Sequence, residues 1–186
     1  MLPCDPAVYV AAVPTTLDIV HYGFRNLVSK SIKLPGQRAA SQRLSKDKSP
    51  YKTHAAAHFQ SGGKGVHGPG YYLHLEPGEC FIGGGMWMPE PKVLEEIRNR
   101  IVDKPAEWKK ARTNLSHSED ALKRPPRGFD PHHPMIEDIK RKSFTTGASI
   151  TNKQVLADNF MSTFIAECRN IAPLMKFLAT SAGVPW

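Results

Sequence analysis

Two short runs hold most of the side chains able to do chemistry. Arg43, Lys46, Lys48, Tyr51, Lys52 and His54 fall within twelve consecutive positions, a density of donors suited to gripping phosphate oxygens or another anion. Asp130 and His133 stand three apart in R-G-F-D-P-H-H-P. At that distance a carboxylate can orient an imidazole for acid or base work. Between the two runs, Gly83-Gly84-Gly85 removes three side chains in a row. A gap of that kind admits a bulge, another backbone, a packed helix or a ligand, so these glycines are the candidate floor of a pocket.

Other chemistries find less. Asp130, His132 and His133 suggest a metal only at first glance, because adjacent histidines seldom reach one ion from a single strand, and no metal site is expected. G-G-K-G at residues 62–65 lacks the G-x-x-x-x-G-K-[ST] order, Val66 follows where Ser or Thr is needed, and no apolar strand feeds it. Neither a G-x-S-x-G nucleophile nor a paired carboxylate is present. No cofactor is expected.

The charge is strongly localised. Of a formal net +8, residues 25–64 hold nine basic residues against Asp47 alone, and the remaining 16 basic and 16 acidic residues cancel. One segment therefore carries the whole imbalance, which favours an anionic ligand or nucleic acid as partner. Aromatic residues, the mark of single-strand platforms, are nearly missing from that segment.

The elements that must position these groups begin with a hairpin. Tyr71, Leu73 and Leu75 alternate with Tyr72 and His74, Pro77-Gly78 is turn chemistry, and Cys80-Phe81-Ile82 resumes a strand. Residues 53–59 form a brief extended or helical segment, and 60–70 a loop. Pro91 suits the first position of a helix whose stripe is Val93, Leu94, Ile97 and Ile101, with Glu96–Arg100 as a surface pair and Arg98 on the surface. Pro105 opens a short helix anchored by Trp108. Asp130 is expected to cap a helix over Met135–Lys142, and Phe144–Ile150 to be the last strand. Thr151 and Gln154 make a capping box, and Asp158 caps a final amphipathic helix with the stripe Phe160, Phe164, Cys168, Ile171, Met175 and Leu178, kinked or broken at Pro173. The predicted fold is α+β: a small antiparallel sheet with helices packed mainly on one face and a C-terminal amphipathic helix.

Residues 1–42 read as a divergent segment that docks weakly or stays partly disordered, with a short strand at Val8–Val13 and a helix capped by Thr16. Residues 43–186 form one α+β domain. No stretch of ~18 apolar residues occurs, and the N-terminus lacks a basic region before its apolar residues, so no secretory signal is expected. Cys4, Cys80 and Cys168 are too scattered for a disulfide framework. Reduced, cytoplasmic thiols are the expectation.

S-K-D-K-S-P-Y-K-T-H (45–54), G-Y-Y-L-H-L-E-P-G (70–78), G-G-G-M-W, I-R-N-R-I and P-R-G-F-D-P-x-H-P, in this order, resemble the conserved hypothetical family known as domain of unknown function 2461, over about residues 43–180. The resemblance implies an α+β domain without known cofactor and implies no activity. Of the R-D-x-R-F run usual ahead of S-K-D-K, Arg43 alone survives, and His132 stands where relatives tend to carry Asp. The leading functional expectation is an anion-binding module for phosphate, nucleotide or nucleic-acid backbone, its rim built from Arg43, Lys46, Lys48, Tyr51, Lys52 and His54. An enzyme using His133 and Asp130 beside the glycine-rich strand is the first alternative. A structural or interaction protein whose basic segment orders on a partner is the second.

Overall fold

Alternation along Tyr71–Leu75 sets the sheet. Tyr71, Leu73 and Leu75 are 3%, 0% and 0% exposed, while Tyr72 and His74 lie on the opposite face. The computed structural model describes residues 54–60, 68–112, 115–116 and 120–186. The strand expected at Val8–Val13, the Thr16 cap, the basic run from Arg43 to Lys52 and most of the glycine-rich loop lie outside the described residues.

The strands are β1 (Ala55–Gln60), β2 (Gly70–Leu75), β3 (Cys80–Met86) and β4 (Phe144–Ile150). They form one sheet in the order β1-β2-β3-β4, with every neighbouring pair antiparallel. Residues 53–59, left open between extended and helical, are extended over β1. Five helices are described: α1 (Pro91–Asp103), α2 (Pro105–Ala111), α3 (Ile136–Ile139), α4 (Asn152–Leu156) and α5 (Phe160–Ser181). The architecture is α+β, as expected.

One long helix serves two packed clusters. In the first, Phe160, Phe164, Cys168, Ile171 and Met175 of α5 meet Phe59, Tyr71, Leu73, Leu75 and Ile82. In the second, Leu174, Phe177 and Leu178 meet Met86, Phe144, Ile97, Ile101, Trp108 and Ile139. The predicted α5 stripe is buried at every position. Pro173 breaks nothing: the helix runs through it, and both Pro173 and Arg169, whose carbonyl loses its usual donor, face solvent.

Glycines make the close approach of α5 to β3 possible. A Cβ on Gly84 would lie 2.9 Å from Cγ2 of Ile171 and 3.3 Å from Sδ of Met175. Gly85 has φ +132°, and a Cβ there would overlap the carbonyl oxygen of Phe144 and lie 2.8 Å from Cα of Thr145. The triplet thus does two jobs: Gly84 seats the helix, and Gly85 seats the neighbouring strand.

The outer helices depend on buried polar anchors. The Asp138 carboxylate, in a residue 5% exposed, accepts from Trp108 Nε1 at 2.8 Å, Arg112 at 2.8 Å and Arg141 at 3.3 Å. Arg98 is half-buried rather than a surface residue. Its Nε donates to the carbonyl of Ile139 at 2.7 Å and its terminal nitrogen to that of Arg141 at 3.0 Å, and burial lowers its pKa. These bonds tie α1 to the end of α3, where two carbonyls would otherwise lack a partner.

Several local expectations are corrected. Arg100 pairs with Glu107 at 2.8 Å rather than with Glu96, and its guanidinium lies over the ring of Phe177. The helix expected over Met135–Lys142 shortens to Ile136–Ile139, its N-cap is Met135, and Asp130 instead accepts from the His132 N–H. The final helix starts from Asn159 without a side-chain cap, because Asp158 lies one residue too early. The Thr151–Gln154 capping box is present as read.

Two outcomes follow for stability. Gly85→Ala should cost more than Gly84→Ala, since the first meets backbone at a positive φ and the second meets ends of side chains; about 1–3 kcal/mol is expected for Gly84→Ala in urea denaturation. Burial pushes the Cys168 thiol up to about 12, with Glu167 adding to it. The neutral thiol is favoured in the folded state, so its contribution is full below pH 9 and is lost as pH rises from about 9 towards 12. Thermal melts at pH 8 and 10.5 should therefore show a drop that Cys168→Ala reduces.

Candidate functional site

The face of the sheet opposite the described helices carries a row of rings. Register places His74 of β2 opposite Ala56 of β1 and Phe81 of β3, and Phe81 opposite Ser149 of β4. His54, just before β1, stacks on His74 with ring centroids 4.9 Å apart and planes 24° from parallel. His74 stacks in turn on Phe81 at 5.0 Å and 16°. Tyr72 closes the group at 5.7 Å from Phe81 and 6.1 Å from His74.

A hydrogen-bonded chain holds the middle ring upright. The Tyr72 hydroxyl lies 3.3 Å from Nδ1 of His74, and Nε2 lies 3.3 Å from the carboxylate of Glu76. A neutral imidazole protonated on Nε2 satisfies both ends, accepting from Tyr72 and donating to Glu76. Sequence makes this local: Tyr72, His74 and Glu76 share one side of an extended chain at a period of two.

Beside the rings the floor is nearly bare. Gly83 pairs with Gly147 and Gly70 with Gly85, with Tyr72 across from Gly83 and Thr145 across from Gly85. The His58 imidazole lies over Gly70, where a Cβ would overlap it. On the far side of Phe81 an open cleft of about 350 Å³ is lined by Gly78, Glu79, Phe81, Gly147 and Ser149, among others.

Of the expected rim, His54 alone is among the described residues, and it joins the ring row. Arg43, Lys46, Lys48, Tyr51 and Lys52 lie outside them. Gly83 and Gly85 face the open side, whereas Gly84 packs under α5. The His133 N–H donates to the Asp130 carbonyl at 3.1 Å, but among the described residues their side chains are not bonded to each other. His133 Nδ1 accepts from the Met135 N–H at 3.1 Å, and the Asp130 carboxylate accepts from the His132 N–H at 2.9 Å. Each side chain is engaged by the backbone of its own turn.

The family model described as Conserved hypothetical protein (DUF2461) matches residues 41–177. The chain belongs to this family. No curated protein and no solved structure matches it. The DUF2461 match begins just before Arg43 and includes every residue of the ring row, the glycine floor and the Asp130–His133 turn.

Sequence reading separated Tyr72 and His74 from the core face but did not select them, and it passed over Phe81. The available signal was the period-two run Y-x-H-x-E next to a hairpin turn. Past β3, Trp87 and Met88 are also unforeseen exposures, at 79% and 50%. Met88 holds φ 47°, steadied by its N–H donating to Ser143 Oγ at 3.1 Å.

His74 packs among rings on the face opposite the described helices, its side chain 14% exposed, so truncating it should cost less than opening the core. His74→Ala is expected to lower unfolding free energy by about 1 kcal/mol, against about 2–5 kcal/mol for the adjacent core change Leu73→Ala. Chemical denaturation of the two variants compares the faces directly.

Proposed function

We propose that this chain is an anion-binding module, for phosphate, nucleotide or nucleic-acid backbone, working on the face of its sheet opposite the described helices. The observation that carries it is the position of His54. The last member of the candidate rim stacks on His74, and Lys52, Lys48, Lys46 and Arg43 precede it within eleven positions of the sequence. Lys64, of the same basic segment, falls in the connection between β1 and β2. Positive residues thus flank β1 on both sides in the sequence, and the field they create favours an anionic partner.

The glycine floor supports the same conclusion. A surface without side chains at Gly83, Gly85 and Gly147 lets a ligand lie close to the sheet. Nothing favours acid–base catalysis by Asp130 and His133, whose side chains are engaged in their own turn. No described helix is long and apolar enough to cross a membrane. We place the module in the reducing cytoplasm, where the buried Cys80 and Cys168 remain thiols.

Salt dependence tests the proposal. Inorganic polyphosphate should bind at 50 mM salt and lose roughly tenfold or more in affinity by 200 mM, as counterion release by a few lysines requires. The triple variant Lys46→Ala/Lys48→Ala/Lys52→Ala should weaken binding and flatten that slope. Absence of binding at 50 mM, or a triple variant that binds like the parent, would reject it.

A further inference from the structure

Among the described residues the ring row has one unfinished end. His74 covers one side of Phe81 at 5.0 Å. On the other side the strand partner is Ser149, and diagonal to it lies Gly147, so neither supplies a ring or a bulky group. The cleft of about 350 Å³ opens there, at the small end of the ~300–1,000 Å³ range of ligand pockets. A flat aromatic group entering it would become the next member of the stack His54–His74–Phe81.

We infer that this cleft is a base-stacking subsite and that the anion is single-stranded nucleic acid, with one base lying on the free side of Phe81. The inference rests on the anion-binding proposal and adds the substrate class to it. Length decides between a strand and a small anion. Two ring spacings of 4.9 and 5.0 Å carry the row about 10 Å from Phe81 to His54. With a phosphate every ~3.4 Å of stacked strand, about three nucleotides span from Phe81 to His54, which stands two positions from Lys52 in the sequence. A free phosphate or lone nucleotide reaches only one end.

Chemistry at the cleft agrees. Glu79, which lines it, repels phosphate but accepts from the exocyclic amine of a base, as carboxylates do from cytosine N4. The backbone phosphates then face the cationic end and the base faces the acidic one. The rings that the basic segment itself lacks are supplied by β2 and β3, giving the pairing of a charged track with stacking side chains that single-strand binders use.

The experiment compares two probes on the full chain: a fluorescein-labelled single-stranded 12-mer of mixed bases, and inorganic polyphosphate, which has no bases. Phe81→Ala should weaken the 12-mer by about 5- to 100-fold and leave polyphosphate unchanged, while Phe81→Trp should retain 12-mer binding. Ser149→Phe, which fills the cleft and keeps Phe81, should weaken the 12-mer in the same way and serves if Phe81→Ala does not fold. Polyphosphate binding with no response of the 12-mer to any of these changes would overturn the base subsite and leave the anion module standing. Failure of both probes would remove both. A dimer in sedimentation that Phe81→Ala dissociates would put a second copy on this face and would also overturn the inference.

Discussion

The contact on which the rest depends is the seating of α5 against β3 at Gly84. With Cγ2 of Ile171 and Sδ of Met175 close to where a Cβ would stand, helix and sheet approach nearer than ordinary side chains permit. That approach allows one helix to act as a wall for both core clusters, the first under β1–β3 and the second under α1–α3. It also settles which side of the sheet is occupied. All the described helices that share these clusters lie on the side where Tyr71, Leu73, Leu75 and Ile82 are buried, and the ring row is left on the other.

The two faces are held by different physics. The helical side combines apolar burial with a few buried polar anchors, of which Asp138 is the centre, receiving Trp108, Arg112 and Arg141. Removing any one partner there would leave a desolvated charge, so the cluster constrains how α2 and α3 lie. On the other side no described helix covers the sheet, and its rings cover one another. Mutual stacking of His54, His74 and Phe81 reduces the apolar surface each presents to water and fixes their orientation before any ligand arrives.

Much of the scaffold was legible in the residues because it obeys simple periods. Tyr71–Leu75, Phe144–Ile150 and the stripe of α5 follow spacings of two and 3.6, and Pro91, Thr151 and Gln154 mark helix starts by local chemistry. What escaped was tertiary. Arg98 looked like a surface residue because nothing in its neighbourhood in the chain announces the carbonyls of Ile139 and Arg141, more than 40 positions away. Arg100 chose Glu107 over Glu96 because α2 turns back beside α1. The candidate site divided in the same way: the basic run and glycine floor are visible as composition, whereas the ring row needs the register of three strands to bring positions 54, 74 and 81 together.

The order of strands in the sheet has a consequence for how the chain acquires its shape. β1, β2 and β3 are neighbours joined by short connections, but β4 reaches β3 only after the 57 residues from 87 to 143. Closing a span of that length costs about 3.5 kcal/mol of chain entropy beyond a constant, so the three-stranded meander precedes the fourth strand. On a ribosome, the flank of β3 that awaits β4 is therefore bare while the intervening helices are still being made. Gly83-Gly84-Gly85 fill three of its seven positions, and glycine is among the poorest templates for a foreign strand. The same three residues that let the finished protein close up thus keep its nascent edge from recruiting the wrong neighbour.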